Sequence, residues 1–159
     1  MVFEFSAMNP MGKNGLTRCS WIQNHDGTNI KWVVRDVDLP LGVSDFQGKL
    51  SVLVKLDEDK HKDMIGKLAD LTSAAIEHWS HLHIPNPCED KGYGLQVRVK
   101  LTGDTKFFDK DKKKGDVGLV KYHCNVDIMF QPQMVWVSGE KAGISFKAVQ
   151  IKKNEVASD

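Results

Sequence analysis

The 159-residue chain has no apolar run long enough to cross a membrane as a helix, so no membrane partner is expected. Its start, Met1-Val-Phe-Glu-Phe5, lacks both the basic stretch and the long apolar stretch of a secretory leader, which points to an intracellular protein. Cysteine is scarce. Cys19, Cys88 and Cys124 are odd in number and form no CxxC, so reduced thiols are expected rather than a disulfide framework. There is no GxSxG, no glycine-rich phosphate loop ending in GK[ST], and no carboxylate pair that spacing singles out. Neither an enzyme nor a cofactor is therefore expected. Charge of one sign is missing too: 22 Lys and Arg against 21 Asp and Glu leave +1, which excludes a bulk polycation. Any affinity for a polyanion must come from where each lysine stands.

What is present is a set of short alternating segments around one helical one. An apolar content of 41% is that of a globular chain, expected as one domain over residues 1–153 with a fraying polar tail over 154–159. Leu16–Ile22 and Ile30–Val37 read as strands separated by the turn Asn24-His-Asp-Gly27, and Gly12-Lys-Asn-Gly15 as a flexible turn. Gly48–Leu56 alternates, with Leu50, Val52, Val54 and Leu56 inward and Lys49, Ser51 and Lys55 outward. From about residue 59 to 82 the period lengthens: Met64, Leu68, Leu71, Ala75, Trp79 and Leu82 recur at three or four. Asp57 or Asp59 suits the start of that helix, and Pro85 and Pro87 stop it. Tyr93–Leu101, Leu119–Phe130, Met134–Val137 and Gly143–Ile151 follow as strands, with Val120, Tyr122, Cys124, Val126 and Ile128 on one face of the second. The expected fold class is mainly β, an OB-fold-like small antiparallel barrel with one long helix (about 59–82) between the third and fourth core strands.

The polar positions of several strands favour cations: Lys31 and Arg35, Lys49 and Lys55, Arg98 and Lys100, and Lys121. A solvated barrel face accounts for any one of these, but recurrence across four strands is the footprint of a nucleic-acid binder. The loop after Leu101 adds Lys106, Phe107 and Phe108 beside a run of lysines. Trp21, Trp136, Phe107 and Phe108 fall at strand ends or in a loop, where a ring either stacks on a base or caps the barrel. Trp32 and Trp79 read as core. The His78, His81, His83 and Cys88 group lies around the helix end and lacks any HExxH or second ligand pair, so no metal is expected. Phe107 and Phe108 also leave room for a protein-interaction or virion structural module that binds no nucleic acid.

The stretches "GKLSVLVKL", "DKHKDMIGKLADLTSAAIEHW", "FFD", "MFQPQMVW" and "AGISFKAVQIKK" occur in an order that resembles the single-stranded-DNA-binding proteins of podophage replication, an OB-fold family. The resemblance implies sequence-independent coating of single-stranded DNA during viral DNA replication, recombination and repair. It implies a location in the host cytoplasm or viral replication site, viral replication proteins (polymerase and helicase) as further partners, and a homo-oligomer. It places Trp136 where an aromatic contacts DNA, and matches Arg98, Lys100 and Lys106 as basic positions. The chain departs from the family at its end: podophage proteins carry a long acidic tail that docks the polymerase and helicase, whereas here only Glu155 and Asp159 are acidic within 154–159.

Overall fold

The computed structural model describes residues 3–11, 17–90, 92 and 94–155. The expected turn at Gly12–Gly15 and the expected strand start at Tyr93 lie outside them. In chain order the elements are β1 (Phe3–Phe5), β2 (Asn9–Met11), β3 (Thr17–Asn24), β4 (Trp32–Leu39), β5 (Val43–Phe46), β6 (Lys49–Leu56) and α1 (Lys62–His78). They continue with β7 (Glu89–Asp90), β8 (Leu95–Lys100), β9 (Lys106–Phe108), β10 (Lys114–Gly115), β11 (Cys124–Ser138) and β12 (Lys141–Lys153).

Five of these strands close a ring, β4–β6–β8–β12–β11 and back to β4. All its pairings are antiparallel except β8 with β12. Two seams are thin, resting on Asp38 opposite Lys55 and on Lys100 opposite Lys147. This is the OB-like barrel, mainly β with one helix. Three long strands precede the helix, as expected, but β3 lies outside the ring. Counted within the ring, α1 follows the second strand and not the third. β3 and β4 are also not neighbours across the Asn24–Gly27 turn, because β11 runs between them.

Alternation explains the core. Val52, Val54, Val97, Val99, Val126, Ile128, Phe130 and Phe146 are buried, each contributing roughly 1.5–3 kcal/mol. In β4 the alternation would fail after Val34, but Asp36 adopts a φ of 57° and the register against β11 slips between Val126 and Ile128. This bulge inserts one residue, so Trp32 and Val34 face inward before it and Val37 and Leu39 after it. Met64, Leu68, Leu71 and Ala75 of α1 join the same core.

Several expectations are corrected. The helix spans Lys62–His78 rather than 59–82: residues 57–61 form turns whose amides Asp57 Oδ1 accepts, from Asp59 at 3.0 Å and Lys60 at 2.9 Å. Trp79 ends it half-buried, its ring 5.0 Å from that of Phe5. The strand expected from Leu119 begins at Cys124. Leu119 closes a short 3-10 turn, and Tyr122 is 74% exposed rather than inward. That strand instead runs on through Pro132, whose missing N–H is tolerated at a second register slip. Asn154, placed in the fraying tail, is tied down: its N–H donates to Asn125 O at 2.9 Å and its side chain to Asp127 at 2.9 Å.

Candidate nucleic-acid interface

The β5–β6 hairpin and the start of β8 build one side of a groove. Gln47 and Gly48 both have positive φ, 54° and 81°, as a two-residue type I′ turn requires, and Asp45 Oδ1 accepts the Gly48 amide at 2.9 Å. The turn sets Phe46 directly opposite Lys49. Phe46 is 73% exposed, a large ring held out in water at the end of the hairpin. With Val52 and Val54 inward, β6 presents Lys49, Ser51 and Leu53 outward, and β8 brings Lys100 opposite Ser51 and Arg98 opposite Leu53. Arg98 Nη1 donates to Ser51 Oγ at 2.8 Å, which orients the guanidinium along the groove.

The far wall is the 101–105 loop, pinned where Thr105 Oγ1 donates to Ala148 O at 2.8 Å and accepts the Thr102 amide at 3.0 Å. The open groove has a volume of about 1150 Å³, and Gly115–Val117 completes its rim. Two carboxylates stand at its edge, Asp45 and Asp116, and each already accepts a backbone amide at 2.9 Å. Among the described residues, no carboxylate forms an ion pair with Lys49, Arg98 or Lys100. Lys100 is open to solvent on the groove side, yet the walls strip enough water from it to hold its ammonium below the usual lysine value. The charge of Lys49 adds to that. An anion entering the groove would relieve both effects.

The cationic row continues across the barrel. Lys100 lies opposite Lys147, and Lys147 opposite Gln131. Lys147 Nζ lies 3.8 Å from the exposed Asp104. Beyond Gln131, Trp21 is 46% exposed over a hollow of about 270 Å³ that it shares with Gln131, Gln133 and Lys147. From Ser51 to Trp21 is four strand-to-strand steps, with Trp21 displaced along β11 to stand opposite Met134. The row thus has an open ring at each end, Phe46 and Trp21. Alternation had not singled out Phe46 or Lys147. Phe46 belongs to a four-residue strand with no period to read, and Lys147 becomes part of the row only through the non-local pairing of β8 with β12.

Of the other expected site residues, Phe107 also lines the groove and the rest lie elsewhere. Phe107 is 8% exposed and packs in the core, because β9 joins the barrel beside Ile151 and turns that ring inward; the loop placement expected for it is corrected. Phe108 is half-buried on the opposite side. Lys55, at the far end of β6, faces Asp38 and shares a hollow with Asp36, Asp57, Asp59 and Asp90, apart from the groove cations. Lys31 and Arg35 are exposed on the β4 side, and Lys106 is exposed opposite Gln150. Lys121 is exposed in the turn before β11 and borders an apolar hollow with Leu41 and Tyr122. Trp136 is half-buried and lies over Gly143. A Cβ at that glycine would sit 2.7 Å from Trp136 Cζ2, so the pair is matched in shape. His78 packs its ring 5.1 Å from that of Phe5, and Cys19, Cys88 and Cys124 are free and buried.

No family model and no curated protein sequence matches the chain. Solved structures do. The single-stranded DNA-binding protein from bacteriophage Enc34 in complex with ssDNA superposes with a TM-score of 0.61 at 13% identity, over 96% of this chain and 97% of that one. Its C-terminally truncated form gives 0.61 at 12% identity, over 96% and 95%. A further structure of the same phage protein gives 0.62 at 12% identity, over 97% and 94%. This chain therefore has the fold of a phage single-stranded-DNA-binding protein.

Proposed function

We propose that this protein binds single-stranded DNA without sequence preference and coats it during viral replication, recombination and repair, with no catalytic step of its own. The observation that carries the reading is the groove on β6 and β8, where Lys49, Arg98 and Lys100 have no carboxylate partner among the described residues and stand beside the open ring of Phe46. β6 and β8 are the second and third strands of the ring, the face on which OB-like barrels take oligonucleotides. Lysine and arginine neutralise phosphates and release their counterions, which supplies affinity that ignores sequence. Rings at Phe46 and Trp21 offer stacking surfaces worth ~1–3 kcal/mol per base, again for any base. A stacking ring needs an unpaired base, so the open rings favour a single strand over a duplex.

The likeness to the Enc34 protein, whose structure is that of a complex with ssDNA, supports this reading at the level of the fold. Titration of intrinsic tryptophan fluorescence with oligo-dT, oligo-rU and duplex DNA at low and moderate salt tests it. Salt-sensitive quenching by oligo-dT, with weaker binding of the duplex, is expected. No quenching at low salt, or equal affinity for the duplex, would remove the reading.

A further inference from the structure

A second cationic hollow lies on the outside of β4, β11 and β12, well away from the groove. Its floor is apolar: Val33, 45% exposed, stands opposite Met129 across the β4–β11 ladder. Around that floor stand Arg35, Lys112 and Lys152, in a volume of about 250 Å³. The carboxylate lining it, Asp127, is already engaged. Its Oδ1 accepts the Asp36 amide at the β-bulge and the Asn154 side chain, both at 2.9 Å, and its Oδ2 lies 4.0 Å from Lys152 Nζ. Arg35 and Lys112 form no ion pair among the described residues.

Lys112 is placed there by the fold. It takes a φ of 64° in a turn where Asp109 Oδ1 accepts the amides of Asp111 and Lys113, each at 2.9 Å. Glycine is the residue that fits that backbone most easily, yet a lysine occupies it and delivers its charge to the hollow. Strand pairing links the hollow to the groove. Lys147, opposite Lys100, lies three residues before Gln150 on β12. Gln150 in turn has Lys106 on one side and Met129 on the other. A chain of cations thus leads from Lys100 through Lys147 and Lys106 to Lys112 and Arg35.

We propose that this hollow is a second seat for the same single strand, so that a long oligonucleotide leaves the groove over Lys147 and wraps the barrel to rest on Val33 and Met129. The inference rests on the function proposed above. It adds that the protein distinguishes short from long strands, because only a long one reaches both seats.

The test compares dT8 with dT30 on the wild type and on Arg35→Glu/Lys112→Glu. The variant is expected to bind dT30 roughly tenfold more weakly, with its salt slope lowered by ~1.4, and to bind dT8 within twofold of wild type. Taking the ratio of variant to wild type at each length cancels the extra registers a long strand offers. Lys112→Gly guards against a folding artefact: its melting temperature should be no lower than that of wild type, while dT30 binding weakens two- to fivefold. Equal effects on both lengths, or none on either, would overturn the second seat while leaving the groove intact. So would labelled poly-glutamate bound by wild type and lost in the double variant with dT30 affinity unchanged, which assigns the hollow to an acidic protein. Wild type that binds neither oligonucleotide overturns both readings together.

Discussion

A lysine whose ammonium is stripped of water and faces a second lysine works against the free fold, and Lys100 is in that position. The sign follows from its lowered value. The unfolded chain holds the Lys100 proton more tightly, so stability rises as pH climbs from the folded value towards 10.5, and at neutral pH the retained charge is a cost. Lys100→Met is therefore expected to leave the melting temperature unchanged or slightly higher while weakening oligo-dT binding. Parallel thermal denaturation and fluorescence titration check it, and a clear loss of stability would make Lys100 a structural residue. Lys49, Arg98 and Lys100 were legible as an outward cationic set because strict alternation fixes which face a side chain takes. Phe46 and Lys147 were not: Phe46 sits in a strand too short to show a period, and Lys147 joins the row only by pairing across a parallel seam with Lys100, about 50 residues earlier.

At the scale of elements, one buried histidine joins the helix to the barrel. His61 Nδ1 accepts the Asp57 amide at 2.9 Å, and its Nε2 donates to the carbonyls of Arg35 at 3.0 Å and Asp36 at 3.1 Å, at the β4 bulge. His61→Ala leaves those backbone groups unpaired and is expected to cost about 1–3 kcal/mol, read from denaturant melts. The long elements β3, β4, β6, α1, β8 and β12 were visible in sequence to within a few residues, because each carries several turns of one period. The strands β1, β2, β7, β9 and β10 were not. Two or three residues contain no period, and they exist only because a longer strand offers an edge. The bulge at Asp36 was equally hidden, being a property of β4 against β11.

Across the whole molecule, charge is sorted rather than abundant. Carboxylates gather around the start of α1, where Asp36 pairs with Lys60, and the groove cations stay apart from them. Hydrogen bonds from Lys60 and then Asn125 hold Asp36 below its ordinary 3.8, and donating to Asp36 raises Lys60 above 10.5. The carboxylate's share of stability is thus present above about pH 4 and lost as pH falls through the folded value. The lysine's share lasts until pH rises through its raised value. Melting temperatures of Asp36→Asn should accordingly fall less steeply than wild type between pH 4 and 2; an identical acid profile would show that the pair contributes nothing. The same sorting leaves the groove cations together on one side of a nearly neutral protein. The most direct measurement is the salt dependence of oligo-dT affinity for wild type and for Arg98→Ala/Lys100→Ala. If the β6–β8 groove holds the strand, the double variant binds more weakly with a log–log salt slope shallower by ~1.4, at nearly unchanged melting temperature. An unchanged slope and affinity would contradict the groove as the binding site.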